Sequence, residues 1–251
     1  MSEKLTATEL VQDILNNPAQ IDKCYTFFHN YSILNSLALA FQIQKRGLPI
    51  GPVASFKKWK ELGSKIKKGE KALSICIPLT IKSDRTRTVQ KDGKEVEEPV
   101  VFTAFSWKNV VFTLAQTDGK AVPDTPKCKW DYVKACRNLK VNILNFDNIN
   151  GNIMGYATKD GIAINPLNKH KIRTAVHELA HTLLHKKANN NALAEVEAEL
   201  VSYIMGLVLK LDGAEESRGY IKHWLGNNEL KEKTAMKALC IANKIYAAGR
   251  F

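Results

Sequence analysis

Apolar positions recur at helical spacing near both ends of this chain and gather into β-branched runs between them. Leu10, Val11 and Ile14, with Thr6 or Thr8 as a cap, predict a first helix that Asn16-Asn17-Pro18 breaks. Tyr25, Phe28, Tyr31, Leu34, Leu37 and Phe41 predict a second, from about Ala19 to near Gly47. Phe56, Trp59 and Leu62 mark a short helix that ends at Gly63. Residues 72–77 then read as a strand interrupted by Pro78. Residues 100–105 and 110–114 read as strands joined near Ser106-Trp107-Lys108-Asn109, and the charged stretch 84–98 reads as a flexible hairpin tip.

Residues 118–126 hold Gly119, Pro123 and Pro126 without periodicity, which places a linker there. Beyond it the pattern predicts a helix over 130–139, a strand over 141–144 and two strands around a Lys159-Asp160-Gly161 turn. Helical patterns follow to the end. The fold class is α+β: N-terminal helices plus a small antiparallel sheet, then a mostly helical domain with a small sheet. The expected division is 1–119, a linker at 120–127, and 128–251. Ile162-Ala163-Ile164 is the expected edge strand, where an extended peptide could add.

The helix predicted from Thr174, its expected cap, contains His177-Glu178-Leu179-Ala180-His181. One helical turn separates the two imidazoles by about 6 Å on one face, so both can reach one metal ion. Glu178, beside the first of them, is placed to take a proton from a water on that ion. Two histidines leave a zinc site one protein ligand short, and a carboxylate from a following helix would complete it. Such a helix begins near Leu193 with Val196, Leu200, Ile204, Leu207 and Leu211 as its apolar stripe. It carries Glu195 and Glu199 on one face and Glu197 on roughly the other. His185 lies two turns from His177, about 12 Å along the axis, and fits a supporting role better than a ligand's. Tyr156, Tyr203 and His223 are candidates to stabilise charge on an attacked carbonyl.

A net charge of +12 over 251 residues points to a polyanionic partner. The charge is dense at Lys57, Lys58, Lys60, Lys65, Lys67, Lys68 and Lys71, opposed locally by Glu61 and Glu70. Lysines so grouped would track phosphates, with Trp59, Trp107 or Tyr31 available to stack on bases. Trp59 falls on the apolar face of its helix, which favours a core position. The five cysteines lack Cys-x-x-Cys pairing, which argues against a disulfide framework or cysteine zinc site and suits a reducing compartment. The N-terminus does not read as a signal peptide and no apolar run approaches membrane-spanning length, so a cytoplasmic location is expected.

The whole chain resembles the ArdC-type antirestriction proteins. The resemblance is carried by Tyr31-Ser32-x-x-Asn35, by Phe56-x-x-Trp59-x-x-x-Gly63 with Ile66-Lys67-Lys68-Gly69-Glu70-Lys71, and by Val111-Phe112-x-x-x-Gln116-Thr117-Asp118-Gly119. The His177 helix, Glu195 to Glu199 and Tyr220-Ile221-x-x-Trp224 continue it. It implies an N-terminal single-stranded-DNA-binding domain and a C-terminal zincin-like metallopeptidase domain, in a protein that protects DNA of a mobile element or phage. The second half is also similar to ImmA/IrrE-type metallopeptidases. Glu195-x-x-Ala198-Glu199 resembles the gluzincin pattern, which implies Glu195 as the third ligand and Glu199 as partner of a ligand histidine. One Zn2+, an unknown protein substrate and single-stranded DNA are then the expected cofactor and partners, with no membrane. The alternatives are a regulatory ImmA-like peptidase that cleaves a specific repressor or other protein, and a DNA-binding protein whose zinc site is structural.

Overall fold

The structure, a computed structural model, describes residues 5–18, 30–91, 94–119, 129–147, 152–185 and 192–251. Helix α1 (Ala7–Asn16) opens on a capping box: the Glu9 amide donates to Thr6 Oγ1, and the Glu9 carboxylate accepts from the Thr6 amide. Its free amides at Ala7 and Thr8 donate to the two oxygens of Glu232, 2.8 and 2.9 Å away. That carboxylate suits the positive end of the helix dipole and ties α1 to the C-terminal helix. Helix α2 (Ile33–Lys45) is capped by Ser32; the part of its expected span over 19–29 lies outside the described residues.

Strand β1 (Val53–Ser55) runs directly into helix α3 (Phe56–Glu61), with the Ser55 hydroxyl capping it. The long strands β2 (Leu73–Lys91) and β3 (Lys94–Thr113) pair antiparallel, and β1 pairs with the far side of β3, giving the order β1-β3-β2. This corrects three expectations. Residues 86–91 and 94–98 continue the ladder, with Thr86 opposite Pro99 and Val89 opposite Val96, because a two-stranded ribbon tolerates polar residues on both exposed faces. Ser106 to Asn109 lies mid-strand, opposite Ile77 to Ser74. Pro78 sits within β2 opposite Phe105; β2 is an edge, where a missing N–H can point away from the ladder.

Two buried amides explain how α2 meets this sheet. Asn35 exchanges hydrogen bonds of 2.9 and 2.7 Å with the carbonyl and amide of Cys76. Gln42 does the same with Ser74 at 2.8 and 2.8 Å. Both side chains stand in for a neighbouring strand and close part of the β2 edge. Asn35 of the Tyr31-Ser32-x-x-Asn35 motif is therefore an edge cap, Ser32 a helix cap, and Tyr31 donates to the Val53 carbonyl at 3.3 Å.

The second sheet has the order β4-β6-β5, from β4 (Asn142–Leu144), β5 (Gly155–Thr158) and β6 (Gly161–Ile164). β4 runs parallel to β6 and β5 antiparallel. Ile162-Ala163-Ile164 is thus the central strand, not the edge; its buried Ile162 and Ala163 match that place. The helices of this part are α4 (Tyr132–Leu139), α5 (Lys171–Leu184), α6 (Ala192–Leu209), α7 (Ala214–Leu225) and α8 (Glu232–Gly249).

The linker expected at 120–127 lies outside the described residues, and the hydrophobic core does not divide there. Leu10, Val11, Ile14, Ile33 and Leu37 share one core with residues of β6 and α4 to α8. Tyr203 on α6 donates to the Ile14 carbonyl, and the Ile33 amide donates to Asn243 on α8. A smaller core of Leu39, Ile43, Val53, Leu73, Ile75 and Val111 underlies the first sheet. Helix α2 therefore serves both cores, one with each face. Among the described residues, no helix is long and apolar enough to cross a membrane.

Candidate metal centre and basic surface

Helix α5 begins one turn earlier than its sequence pattern suggests, with His170 at the N-cap position. Thr174 is interior to the helix, and its hydroxyl accepts from Asn168 at 2.8 Å. Asn168 also donates to the Met154 carbonyl and accepts from the His170 amide, so one buried amide joins the approach to β5 with the start of α5. Gly155 permits this close packing: a Cβ there would lie 2.6 Å from Thr174 Cγ2 and 3.0 Å from the Ala163 carbonyl.

Ala175, Val176, Leu179 and Ala180 anchor α5 in the core, which turns His177, His181 and Glu178 toward α6 and the cleft. The Nε2 atoms of His177 and His181 are 3.0 Å apart. Glu195 on the first turn of α6 brings Oε2 to 3.6 Å from His177 Nε2 and Oε1 to 3.4 Å from His181 Nε2. Three ligands at about 2.0–2.1 Å from a tetrahedral ion stand about 3.3–3.4 Å apart. The three side chains thus fit one divalent ion with little adjustment, and they are the group among the described residues that could hold a metal. Glu199 lies one turn further along α6, its Oε1 3.4 Å from His177 Nδ1. A carboxylate thus stands beside the second ring nitrogen of His177.

Charge sharing follows from these contacts. For His177, burial opposes protonation, yet hydrogen bonding to Glu195 and the charges of Glu199 and Glu178 outweigh it and raise its pKa. Burial, with the neighbouring His177 charge, lowers that of His181. Glu195 is held below the usual carboxylate range, mainly by hydrogen bonding to His177. Glu178 is 8% exposed. Burial pushes its carboxyl up to about 7, with His177 opposing the rise and Glu195 and Glu199 adding to it.

A cleft of about 590 Å³ opens beside His177 and Glu178 and is bounded by Gly155 at β5 and by Asn168, His170 and Arg173. Sequence reasoning missed these last three. Arg173 and His170 precede His177 by four and seven residues, so helical spacing alone puts them on its face. Arg173 is fixed by Glu216 at 2.5 Å and Ser217 at 3.0 Å. Among the described residues β5, not β6, is the edge strand that borders the cleft. The carbonyl-stabilising candidates do not converge here: Tyr203 is fully buried on the Ile14 carbonyl, Tyr156 donates to Asp147, and neither Tyr156 nor His223 lines the cleft.

The basic residues form a separate surface. Lys57, Lys58, Lys60, Lys65, Lys67, Lys68 and Lys71 are all exposed on α3 and the loop after it. Lys58 pairs with Glu61 at 3.4 Å and Lys67 Nζ donates to the Ala115 carbonyl at 2.9 Å. Trp59 is fully buried, and its indole N–H donates to the Phe112 carbonyl at 2.8 Å. It offers no face to a base, because the apolar side of so short a helix is spent holding α3 on the sheet. Tyr31 is half-buried against the smaller core, where burial pushes its phenol up to about 12. Trp59→Ala is expected to cost about 3–5 kcal/mol of stability, read as a lowered urea midpoint; a shift below about 1 kcal/mol would contradict the core assignment.

These features define an α+β protein with a sheet-bearing, lysine-rich first part and a helical second part holding a two-histidine, one-glutamate cluster. Residues 2–109 match the family described as the N-terminal domain of anti-restriction factor ArdC. Crystal structures of the antirestriction protein ArdC from plasmid R388 are similar over 96% of this chain. The metal-free form gives a TM-score of 0.54 at 18% identity and covers 95% of that chain. The Mn(II)-bound form gives 0.55 at 17% and covers 96% of it. The chain thus carries an ArdC-type N-terminal domain and the ArdC fold over nearly its whole length. It is also 26% identical to an uncharacterised Bacillus anthracis protein, pXO2-81, across 84% of this chain, and spans 44% of that relative's length.

Proposed function

We propose that this chain is an antirestriction-type protein of a mobile element or phage. In this reading it binds single-stranded DNA through its N-terminal part and hydrolyses a protein at a divalent-metal centre in its C-terminal part. The observation that carries the catalytic half is the convergence of His177, His181 and Glu195 within ligand distance of one another, with Glu178, next to His177 in the chain, lining a cleft. The donor set of two imidazoles and one carboxylate suits Zn2+ and also Mn2+. The ion, when bound, supplies Lewis acidity toward a carbonyl and acidifies water. Glu178 accepts the proton that water loses on attack and returns it to the departing amine, a role suited to a carboxylate next to a proposed ligand histidine and lining the cleft. The β5 edge orients an extended substrate by backbone pairing. Three protein ligands beside an open cleft favour a catalytic over a closed structural site.

The test is hydrolysis of an unfolded protein such as casein, before and after chelation and readdition of Zn2+ or Mn2+. His181→Ala is expected to abolish both stoichiometric metal binding and metal-restored hydrolysis. Hydrolysis that persists in the chelated protein or in that variant would sink the reading.

A further inference from the structure

The cluster above leaves His185 and Glu197 without a role. His185 is the C-cap of α5, one turn beyond His181, and its Nδ1 lies 3.3 Å from His181 Nδ1. On its other side, His185 Nε2 lies 3.0 Å from Glu197 Oε2. Glu197 sits between two glutamates on α6 that face the metal ligands, yet it is buried at 4% exposure and points away from them. Its second oxygen, Oε1, meets the Thr234 hydroxyl at 3.5 Å and Lys237 Nζ at 3.6 Å, both on α8. A carboxylate, two imidazoles and the proposed ligand position thus stand in one line.

With His185 neutral, hydrogen-bond polarity orders the protons along that line. A carboxylate accepts, so His185 carries its hydrogen on Nε2. In the neutral ring its Nδ1 is then a bare acceptor, and His181 donates to it from Nδ1. That leaves His181 Nε2 with a free lone pair, and this is the atom facing His177 Nε2 and Glu195 Oε1. The opposite tautomer of His185 would set two N–H groups against each other at 3.3 Å or leave Glu197 without that donor. His177 reaches the same state more directly, through Nδ1 and Glu199. We propose that Glu197 and His185 are positioning residues that fix His181 as an Nε2 donor to a divalent cation. Thr234 and Lys237 of α8 hold Glu197 in place. This rests on the reading of His177, His181 and Glu195 as a metal centre. It predicts an effect that a merely buried ion pair would not have: loss of Glu197 should weaken metal binding beyond any loss of stability in the metal-free protein.

The experiment is Zn2+ binding by chelator competition, with thermal unfolding of the metal-free protein alongside, for the full chain and for Glu197→Met, Glu197→Gln, His185→Phe and His181→Ala. Glu197→Met and His185→Phe are expected to bind about 10- to 100-fold more weakly. Glu197→Gln keeps a carbonyl acceptor and should recover part of that loss. Binding by Glu197→Met and His185→Phe within about twofold of the unaltered protein would overturn the positioning role, while His181→Ala still losing the metal would leave the metal-centre reading standing. If His181→Ala binds Zn2+ as well as the unaltered protein does, both fall. Histidine nitrogen NMR of the unaltered Zn2+-loaded protein tests the same point without a variant. Protons on His185 Nε2 and His181 Nδ1 are expected, and a proton on His185 Nδ1 would overturn the proposal.

Discussion

Replacing Glu178 by Gln is expected to lower metal-restored hydrolysis by about 100- to 10,000-fold while the metal stays bound. Gln keeps the shape of the side chain and its buried seat, and residue 178 is not one of the three proposed ligands. What it removes is the acceptor for the proton of the attacking water. Turnover of a casein substrate and metal content per chain, measured on one preparation, check both halves. Full turnover in the variant would assign the base elsewhere, and loss of metal would make Glu178 part of the holding shell instead.

The same substitution has a second signature in the metal-free protein. The Glu178 carboxyl titrates near 4.5 when unfolded and about 7 in the fold, so between those values the folded state binds more protons. Stability therefore falls as pH rises through that window, by up to about 3 kcal/mol if the whole shift is expressed. It is fully retained below pH 4.5. Glu178→Gln should flatten this slope, which urea unfolding at pH 5 and pH 8 would show. A variant with the same slope as the parent would mean that Glu178 is solvated near neutral pH and ill suited to act as base.

How legible the centre was depends on which residues report on themselves. His177, Glu178 and His181 lie within about one turn of a single helix, so spacing alone fixes their relative places. The following glutamates were readable as a face, and the structure sets Glu195 against both imidazole Nε2 atoms and Glu199 against His177 Nδ1. Glu197 was readable only as facing elsewhere, since its partners lie on α5 and on α8, 37 residues away in the case of Thr234. The sheets show the same division. A strand's existence follows from its β-branched run, but its place in a sheet follows from pairing, which no local pattern carries. Ile162 to Ile164 was therefore recognisable as a strand and misplaced at the edge. Residues 84–98 carry so much charge that they read as a loop, yet each strand of an exposed ribbon needs only its partner's backbone.

Neutralising the lysine surface is expected to have the largest effect on the other activity. Lys57, Lys60, Lys65 and Lys68 are exposed, and replacing all four by Ala removes charge without disturbing Trp59 beneath them. If each contacts one phosphate, the slope of log affinity against log salt for a single strand should fall by about 3, at about 0.7 per contact. Affinity at low salt should fall by several orders of magnitude, uniformly across sequences. Labelled single-stranded and duplex DNA of equal length, titrated at two salt concentrations, read both quantities. The reading expects the single strand to be preferred. Tyr31 is half-buried, and Trp59 is wholly so. Stacking from Tyr31 and Trp59 is therefore curtailed, which leaves the charge a larger share of the affinity. An unchanged salt slope in the four-site variant would place the DNA on another face, and equal binding to duplex would remove the argument for single-strand protection. Metal-restored hydrolysis should be untouched, because the lysines stand on α3 and the loop after it and the centre on α5 and α6, so a parallel loss would instead show that DNA binding and the metal centre are coupled through the core that α1 and α2 share with α8.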